Sequence, residues 1–84
     1  MHYVYLLRLA NGDIYKGSTS EWQRRLQQHI DGQVPSTAPY RPVKLIAYEA
    51  YSHISDAVRR EDFLKTTEGR RLLKQQYRDA LADV

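Results

Sequence analysis

The fold is decided by residues 3–17, which read YVYLLRLANGDIYKG. Aromatic and branched residues up to Leu9 are typical of a strand, and the pair Asn11-Gly12 is typical of a turn. The residues after this turn, Asp13 to Gly17, again favour a strand. The stretch therefore predicts a β-hairpin at the start of the chain.

Two strand registers are compatible with this hairpin. A two-residue Asn-Gly turn pairs Leu9 with Ile14, whereas a three-residue loop with a bulge at Gly12 pairs Leu9 with Asp13. Because side chains alternate between the faces of a strand, the first register places Tyr5 and Tyr15 on opposite faces and the second places them on the same face. The residues of the hairpin alone leave both registers open.

The rest of the chain predicts three helices and one further strand. Trp22, Leu26 and Ile30 recur at helical spacing within residues 21–31, preceded by Ser20 and Gln23 in a capping-box pattern. The following segments are a surface loop over residues 32–42 that holds all three prolines, a strand over Lys44–Tyr51, a helix from Ser55 to about Thr67, and an amphipathic helix after Glu68-Gly69. The order ββαβαα predicts one mixed α/β (α+β) domain over residues 1–84.

Composition restricts the class of protein. The 84 residues contain no cysteine, which excludes a disulfide framework and a thiolate metal site and fits a reducing cytoplasm. Apolar runs are far shorter than the ~18 residues that span a bilayer, so we expect no membrane segment. The net charge of +3 and pI near 9.3 are compatible both with phosphate-containing partners and with ordinary solubility.

Glu61 interrupts the apolar side of the second predicted helix. At about 100° per residue it falls between Ala57 and Val58 on the helical wheel, facing the core side. A carboxylate in this position needs a partner. One interpretation is an ion pair with Lys65, one turn further along; the other is a ligand for a hard cation such as Mg²⁺.

Arg25 and His29 lie on one shoulder of the first predicted helix, beside Trp22 and Leu26. They are compatible with a surface arginine and a histidine at the edge of the core, or with a cation and a proton acceptor for phosphate chemistry. Three tyrosines lie within the first fifteen residues: Tyr3, Tyr5 and Tyr15. They are compatible with an aromatic core strand or with hydroxyl groups that orient a water molecule.

Taken in order, these residues resemble the GIY-YIG nuclease superfamily, and the length is similar to that of its small stand-alone bacterial members. The resemblance covers nearly the whole chain. The matching stretches are residues 3–7, 11–12, 15–19, 24–29 and 57–61, which read YVYLL, NG, YKGST, RRLQQH and AVRRE, together with Gly32, Ser36-Thr37 and Pro42.

The resemblance implies a three-stranded antiparallel sheet flanked by helices, and hydrolysis of nucleic-acid phosphodiesters with a divalent metal, Mg²⁺ or Mn²⁺. It implies that Glu61 holds the metal and that Arg25 contacts the scissile phosphate. Tyr15 is the first candidate for the base, with Tyr5 and His29 assisting. Since these roles require both tyrosines on one face, they favour the three-residue turn with its bulge at Gly12.

The chain departs from the family pattern at three points. Tyr3 stands where the first motif has glycine, and Lys16 stands where the second has an aliphatic residue. The asparagine that many relatives carry near the last helix has no counterpart, because Asn11 is the only asparagine in the chain. Lys65 is a candidate for a polar role near that position.

The favoured function is a metal-dependent endonuclease acting on DNA, with RNA as a further possible substrate, that selects structure more than sequence. The alternatives are a non-catalytic nucleic-acid-binding module with a degenerate site, and a partner-docking domain that uses the loop over residues 32–42. We expect a monomer or weak homodimer. The candidate phosphate contacts are Lys16, Arg25, Arg41, Lys44 and Lys65. A basic turn with Arg70, Arg71 and Lys74 opens the third predicted helix; a solvated helix face is the favoured interpretation, and an extension of the phosphate-binding surface is the alternative.

Overall fold

A computed structural model of the protein describes residues 1–83. Its elements are β1 (His2–Arg8), β2 (Ile14–Thr19), α1 (Trp22–Ile30), a short 3-10 helix (Ala38–Tyr40), β3 (Lys44–Tyr51), α2 (Ile54–Leu64), α3 (Thr67–Gln76) and α4 (Arg78–Ala82). The strands form one antiparallel sheet in the order β2-β1-β3. The predicted sheet and the order ββαβαα are confirmed, with α4 as an additional short helix. None of the helices within these 83 residues is long and apolar enough to cross a membrane.

The hairpin uses the three-residue turn. The backbone N–H of Leu9 donates to the carbonyl of Asp13 at 2.9 Å, and Gly12 has a φ of 91°, a left-handed conformation that favours glycine. In the resulting register Tyr5 lies opposite Gly17 and Leu7 lies opposite Tyr15. Tyr5 and Tyr15 therefore share a face of the sheet, as the bulged turn predicted.

The sheet has helices on both faces, and each face has its own apolar cluster. Val4 and Leu6 of β1 pack against α2 and α3, where Ala57, Leu64 and Leu73 are buried. The opposite face carries Tyr5, Leu7 and Leu9 and is covered by α1 and the loop after it, with Tyr15, Leu26, Val43 and Leu45 packed alongside. Because β1 is the central strand, its alternating side chains connect the two clusters.

The structure differs from the predicted α1 and its loop at three points. Ser20 does not cap the helix: the N-cap residue is Glu21, which makes no side-chain cap, and the hydroxyl of Thr19 accepts the Glu21 N–H at 3.1 Å. Ile30 is 46% exposed, since the following loop closes over its neighbour His29 instead. The predicted surface loop buries Val34 and Thr37.

The boundary between α2 and α3 also differs from the prediction. The second helix ends at Leu64 because Thr66 begins a new one: its hydroxyl accepts the N–H of Gly69 at 3.0 Å. Gly69 therefore lies in the first turn of α3, not before it. A Cβ at this position would collide with the carbonyl of Phe63, so the glycine allows α3 to pack closely on the end of α2.

A polar network around Glu49 joins β3 to the C-terminal helices. Arg60 binds both carboxylate oxygens, at 3.0 and 3.2 Å, and the hydroxyl groups of Tyr51 and Tyr77 donate to the same carboxylate at 2.7 and 2.6 Å. Burial opposes ionisation of Glu49, but these hydrogen bonds outweigh it and lower its pKa. The sequence analysis did not single out this network.

We expect Glu49→Gln to lower the free energy of unfolding by about 1–3 kcal/mol, because it leaves Arg60 without its charged partner. Since the folded-state pKa of Glu49 is lowered, its contribution is present above the ordinary pKa of the unfolded chain and is lost as pH falls through the folded value. Urea unfolding at neutral and acidic pH measures the loss of unfolding free energy and its dependence on pH. Glu68→Gln, which breaks the exposed pair with Arg71, is the matched control. Equal losses in the two variants would contradict a structural role for the network.

Candidate active site

Tyr5 occupies the centre of the candidate site and depends on Gly17 across the strand pair. The side chain of Tyr5 is buried, at 2% exposure, and its ring lies directly over Gly17. A Cβ on Gly17 would overlap the ring and hydroxyl of Tyr5. The glycine two residues after Tyr15 thus makes room for the other motif tyrosine.

The phenol of Tyr5 is held by a buried hydrogen-bond chain. Its oxygen lies 2.9 Å from Nε2 of His29, and Nδ1 of His29 lies 2.7 Å from Oγ1 of Thr37. The Thr37 hydroxyl donates to the carbonyl of Val34 at 3.4 Å, so it accepts from Nδ1–H of His29. Nε2 is then an acceptor, and Tyr5 donates its proton to it.

Burial and charge reinforce this direction. Burial raises the pKa of Tyr5 to about 12; hydrogen bonding to Arg25 opposes the rise, and the neighbouring Tyr15 adds to it. Burial lowers the pKa of His29 to about 4, and the nearby charge of Arg25 lowers it further. At neutral pH the site therefore contains a protonated phenol and a neutral imidazole.

Arg25 and Tyr15 complete the cluster on this face. Nε of Arg25 donates to the Tyr5 oxygen at 3.4 Å, and Nη1 donates to Gln28 at 3.0 Å. The Tyr15 ring lies 6.1 Å from that of Tyr5 and 5.0 Å from that of His29, between centroids. Ser18, Thr19 and Gln28 line a cavity of about 310 Å³ together with Glu21, Arg24 and Arg25. Of the cluster, Arg25 reaches this cavity at the end of β2.

Glu61 approaches β2 from the other face of the sheet. Lys65 donates to its carboxylate at 2.8 Å, which is the ion pair that the helical spacing predicted as one of two alternatives. The Glu61 side chain is 17% exposed. Burial acts to raise its pKa, but hydrogen bonds from Lys65 and from the Ser18 hydroxyl outweigh it, so the pKa is lowered. Because Ser18 belongs to the edge strand, Glu61 reaches the same sheet edge as the tyrosine cluster.

A metal site would have few protein ligands. Residues 1–83 contain no group of three or more histidine, cysteine, aspartate or glutamate side chains arranged to hold a metal. Glu61 is an ionised carboxylate beside a hydroxyl at an open edge, and Mg²⁺ is often bound through one or two carboxylates with waters and substrate phosphates completing its shell. The residues present fit that mode of binding.

The other predicted phosphate contacts are distributed around the fold. Lys16 lies opposite Leu6 and points to the face of α2 and α3. Arg41 packs over Gly32 and donates to the carbonyl of Ala38 at 3.1 Å, beyond the end of α1. Lys44 donates to the backbone carbonyl of Asp83 at 2.9 Å and pairs with its carboxylate at 3.5 Å. Lys44 is thus engaged in holding the C-terminal segment and is not brought to the cluster.

Three contributing residues were not assigned roles from the sequence. Thr37 and Ser18 stood inside stretches that resemble the family, but no pattern indicated that Thr37 orients His29 or that Ser18 binds Glu61. The hydrogen bond between Gln28 and Arg25 could have been predicted from helical spacing alone, because the two residues lie one turn apart on α1.

We expect Thr37→Val to cost about 1–3 kcal/mol of unfolding free energy, because it removes the acceptor of the buried Nδ1–H of His29 while preserving side-chain volume. Chemical denaturation measures the loss. Ser36→Ala, one residue away at an exposed position, is the control and should change stability by under about 0.5 kcal/mol. If the two variants have the same free energy of unfolding, Thr37 does not stabilise the imidazole of His29.

Comparison with known proteins agrees with this arrangement. The family model described as the GIY-YIG catalytic domain matches residues 1–77. A UPF0213 protein of Staphylococcus saprophyticus is 32% identical over 74 residues, which cover 87% of this chain and 90% of the relative. A UPF0213 protein of Bacillus pumilus is 36% identical over 66 residues, which cover 77% of this chain and 67% of the relative. The solution structure of a UPF0213 protein from Bacillus halodurans superimposes with a TM-score of 0.58 at 29% identity, covering 89% of this chain and 83% of that one. The chain therefore belongs to the GIY-YIG family of nucleases.

Proposed function

We propose that this protein is a divalent-metal-dependent endonuclease that hydrolyses phosphodiester bonds in DNA. The observation that carries the proposal is the convergence of Tyr5, Tyr15, Arg25 and His29 beside the edge strand β2: Tyr5 is hydrogen-bonded to His29 and Arg25, and the Tyr15 ring packs against that of His29. A cation close to the half-buried Tyr15 phenol is suited to a phosphate that gains negative charge during attack by water.

The two tyrosines have different roles in this proposal. Tyr5 donates its proton to His29 and has a raised pKa, so it is poorly suited to take a proton from water. Tyr15 is the remaining phenol in the cluster. Acting as the base, its oxygen would accept a proton from the attacking water while the water oxygen bonds to phosphorus; the bond from phosphorus to the leaving sugar oxygen breaks, and that oxygen takes a proton from solvent. His29 is a positioning residue, since it orients Tyr5 and does not face the open cavity. This assignment retains Tyr15 as the base.

Arg25 is the phosphate-binding residue of the cluster. Its hydrogen bond to Tyr5 raises its pKa, so its charge is permanent, and its guanidinium retains donors beyond those used for Tyr5 and Gln28. Removing a preorganised donor of this kind typically costs about 10²–10³ in rate.

Glu61 is the proposed Mg²⁺ ligand, and Mn²⁺ is expected to replace Mg²⁺. When bound there, the metal would polarise the phosphate and help to neutralise its developing charge. Glu61 would exchange its ion pair with Lys65 for the cation, and the half-exposed Lys65 would become free to contact a phosphate. Ser18 would hold the carboxylate in place.

A non-catalytic nucleic-acid-binding module is the second candidate. It is favoured by the Glu61–Lys65 pair, in which a lysine already neutralises the proposed metal ligand, and by the lack of an asparagine near the last helices. Such a module would keep the basic edge of the sheet and bind nucleic acid equally well with and without Mg²⁺.

Cleavage of labelled single-stranded, duplex, flapped and branched DNA in Mg²⁺, Mn²⁺ or EDTA distinguishes the two candidates. We expect metal-dependent cutting that falls by at least about 100-fold in Glu61→Ala while DNA binding persists. Glu68→Ala, which removes an exposed carboxylate from α3, should cut normally. Absence of cutting by the wild-type protein, with salt-sensitive binding that is equal in the Glu61 variant, would support the binding module. The preferred substrate in the panel would identify the structural selectivity.

Tyrosine substitutions test the assignment of the base. We expect Tyr15→Phe to reduce the cleavage rate by about 10²–10⁴, the usual contribution of a general base. Tyr40→Phe, which removes an exposed hydroxyl, is the control. A Tyr15→Phe enzyme that cuts at the wild-type rate would overturn the role of this phenol.

A further inference from the structure

Three cations converge on the sheet face opposite the tyrosine cluster. Lys16 projects from β2 toward α3, where Arg70 and Lys74 occupy positions one helical turn apart. All three line a cavity of about 430 Å³, with Leu73 forming part of its apolar wall. The basic residues of the predicted helix face therefore do not simply project into solvent: two of them share a concave site with a strand lysine.

These charges are only partly compensated. Within residues 1–83, each of the ion pairs shorter than 4 Å involves other cations, so Lys16, Arg70 and Lys74 have no acidic partner at that distance. Asp13 also lines the cavity, but its carboxylate accepts from the Asn11 amide at 3.1 Å within the hairpin turn. Three positive groups thus face one carboxylate in a shared cavity.

The cations act on one another electrostatically. Burial lowers the pKa of Lys16; Arg70 lowers it further, Asp13 opposes this effect, and Lys65 and Lys74 contribute in the same direction as Arg70. Like charges held together without a counter-ion are unfavourable, and an anion in the cavity would relieve their repulsion. The excess of positive charge therefore favours a negatively charged ligand in this cavity over a neutral one.

The position of the cavity indicates which anion it takes. Lys65, which pairs with Glu61 beside the proposed scissile site, also acts on Lys16. Arg25 thus lies on the α1 face of the sheet, and Lys65, at the end of α2, and Lys16 lie on the other face. Successive phosphates of one strand provide a matching row of negative charges.

We infer that Lys16, Arg70 and Lys74 form a backbone-binding site for the nucleic-acid strand beyond the scissile phosphate, reached by a strand that crosses the edge of β2. This inference rests on the proposed function, which supplies nucleic acid as the ligand. Phosphate contacts of this kind position a strand without reading its sequence.

The test compares two triple variants that remove the same formal charge. Lys16, Arg70 and Lys74 are replaced by glutamine in one; Arg59, Arg71 and Arg78 are replaced by glutamine in the other. Each of the latter arginines faces an acidic partner: Asp56, Glu68 and Asp79. Binding of a short labelled single-stranded oligonucleotide is measured by fluorescence anisotropy in EDTA over a range of salt concentrations. Because no metal is present, the measurement does not depend on cleavage.

We expect the site triple variant to bind about tenfold more weakly, with the salt slope reduced by about 2, since each single-strand phosphate contact contributes about 0.7. The control triple variant should bind within about threefold of wild type and keep its slope. Equal weakening of the two would show that net charge alone matters, and unchanged binding by the site triple variant would likewise overturn the inference.

Two further arms complete the test. The double variant Arg70→Gln with Lys74→Gln alters only exposed residues and is used if the triple variant does not fold. Because it removes two of the three cations, its salt slope should fall by about two thirds of the change expected for the triple variant. Inorganic pyrophosphate is tested as a competitor. If pyrophosphate binding depends on these cations but oligonucleotide binding does not, the cavity takes free phosphates, and the inference is wrong. Metal-dependent cleavage by wild type together with any of these negative results would leave the proposed function standing.

Discussion

The hydrogen bond from the Tyr5 phenol to His29 is the constraint on which the rest of the site depends. It joins the central strand to α1, and the bond from His29 to Thr37 extends the connection to the loop that closes over the helix. Neither ring can be left without a partner in this buried position, because an unsatisfied buried polar group costs about 1–3 kcal/mol. Sheet, helix and loop are therefore held in one arrangement, and Arg25 and Tyr15 lie beside a Tyr5 phenol whose orientation is fixed.

In the proposed function, residues from opposite faces of the sheet serve one reaction, and the edge position of β2 is what allows this. Tyr15 points toward α1, whereas Lys16 and Ser18 point toward α2 and α3. A strand in the centre of the sheet would keep these groups apart, but an edge strand is open to a ligand that bends around it. In the proposed function, the tyrosine cluster, Glu61 and the Lys16 cavity are successive parts of one surface, along which Arg25, Lys65 and Lys16 supply positive charge to phosphates.

The sequence was sufficient to predict the elements and the faces of the hairpin. Alternation along β1 and β2, with a glycine at the turn, limited the registers to two, and the need to bring Tyr5 and Tyr15 together selected the observed one. Periodicity also placed Glu61 beside Lys65 and Arg25 beside His29. These relations depend on residues close in the chain, where helix and strand geometry determines which side chains are neighbours.

Tertiary contacts accounted for most of what was missed. The burial of His29 depends on a loop without periodicity that folds back and binds the imidazole through Thr37. The end of α2 depends on Thr66, which caps the next helix although the helical pattern of the sequence continues past it. The Lys16 cavity arises only when α3 packs on the sheet, and the Glu49 network joins β3, α2 and the C-terminal residues. No local pattern contains these contacts, so sequence reasoning could name Lys16 and Arg70 but not bring them together.

The most direct test of the account is the protonation of His29, followed by ¹⁵N NMR of the imidazole nitrogens as the pH is lowered and assigned by its loss in His29→Gln. A neutral ring protonated at Nδ1, with Nε2 accepting a hydrogen bond and a midpoint near 4, is expected from the Tyr5–His29–Thr37 chain. A ring protonated at Nε2, or one that gains its second proton near the ordinary histidine pKa of about 6.5, would contradict it. In that case Tyr5 would not donate to His29, and the division of roles between the two tyrosines would be lost.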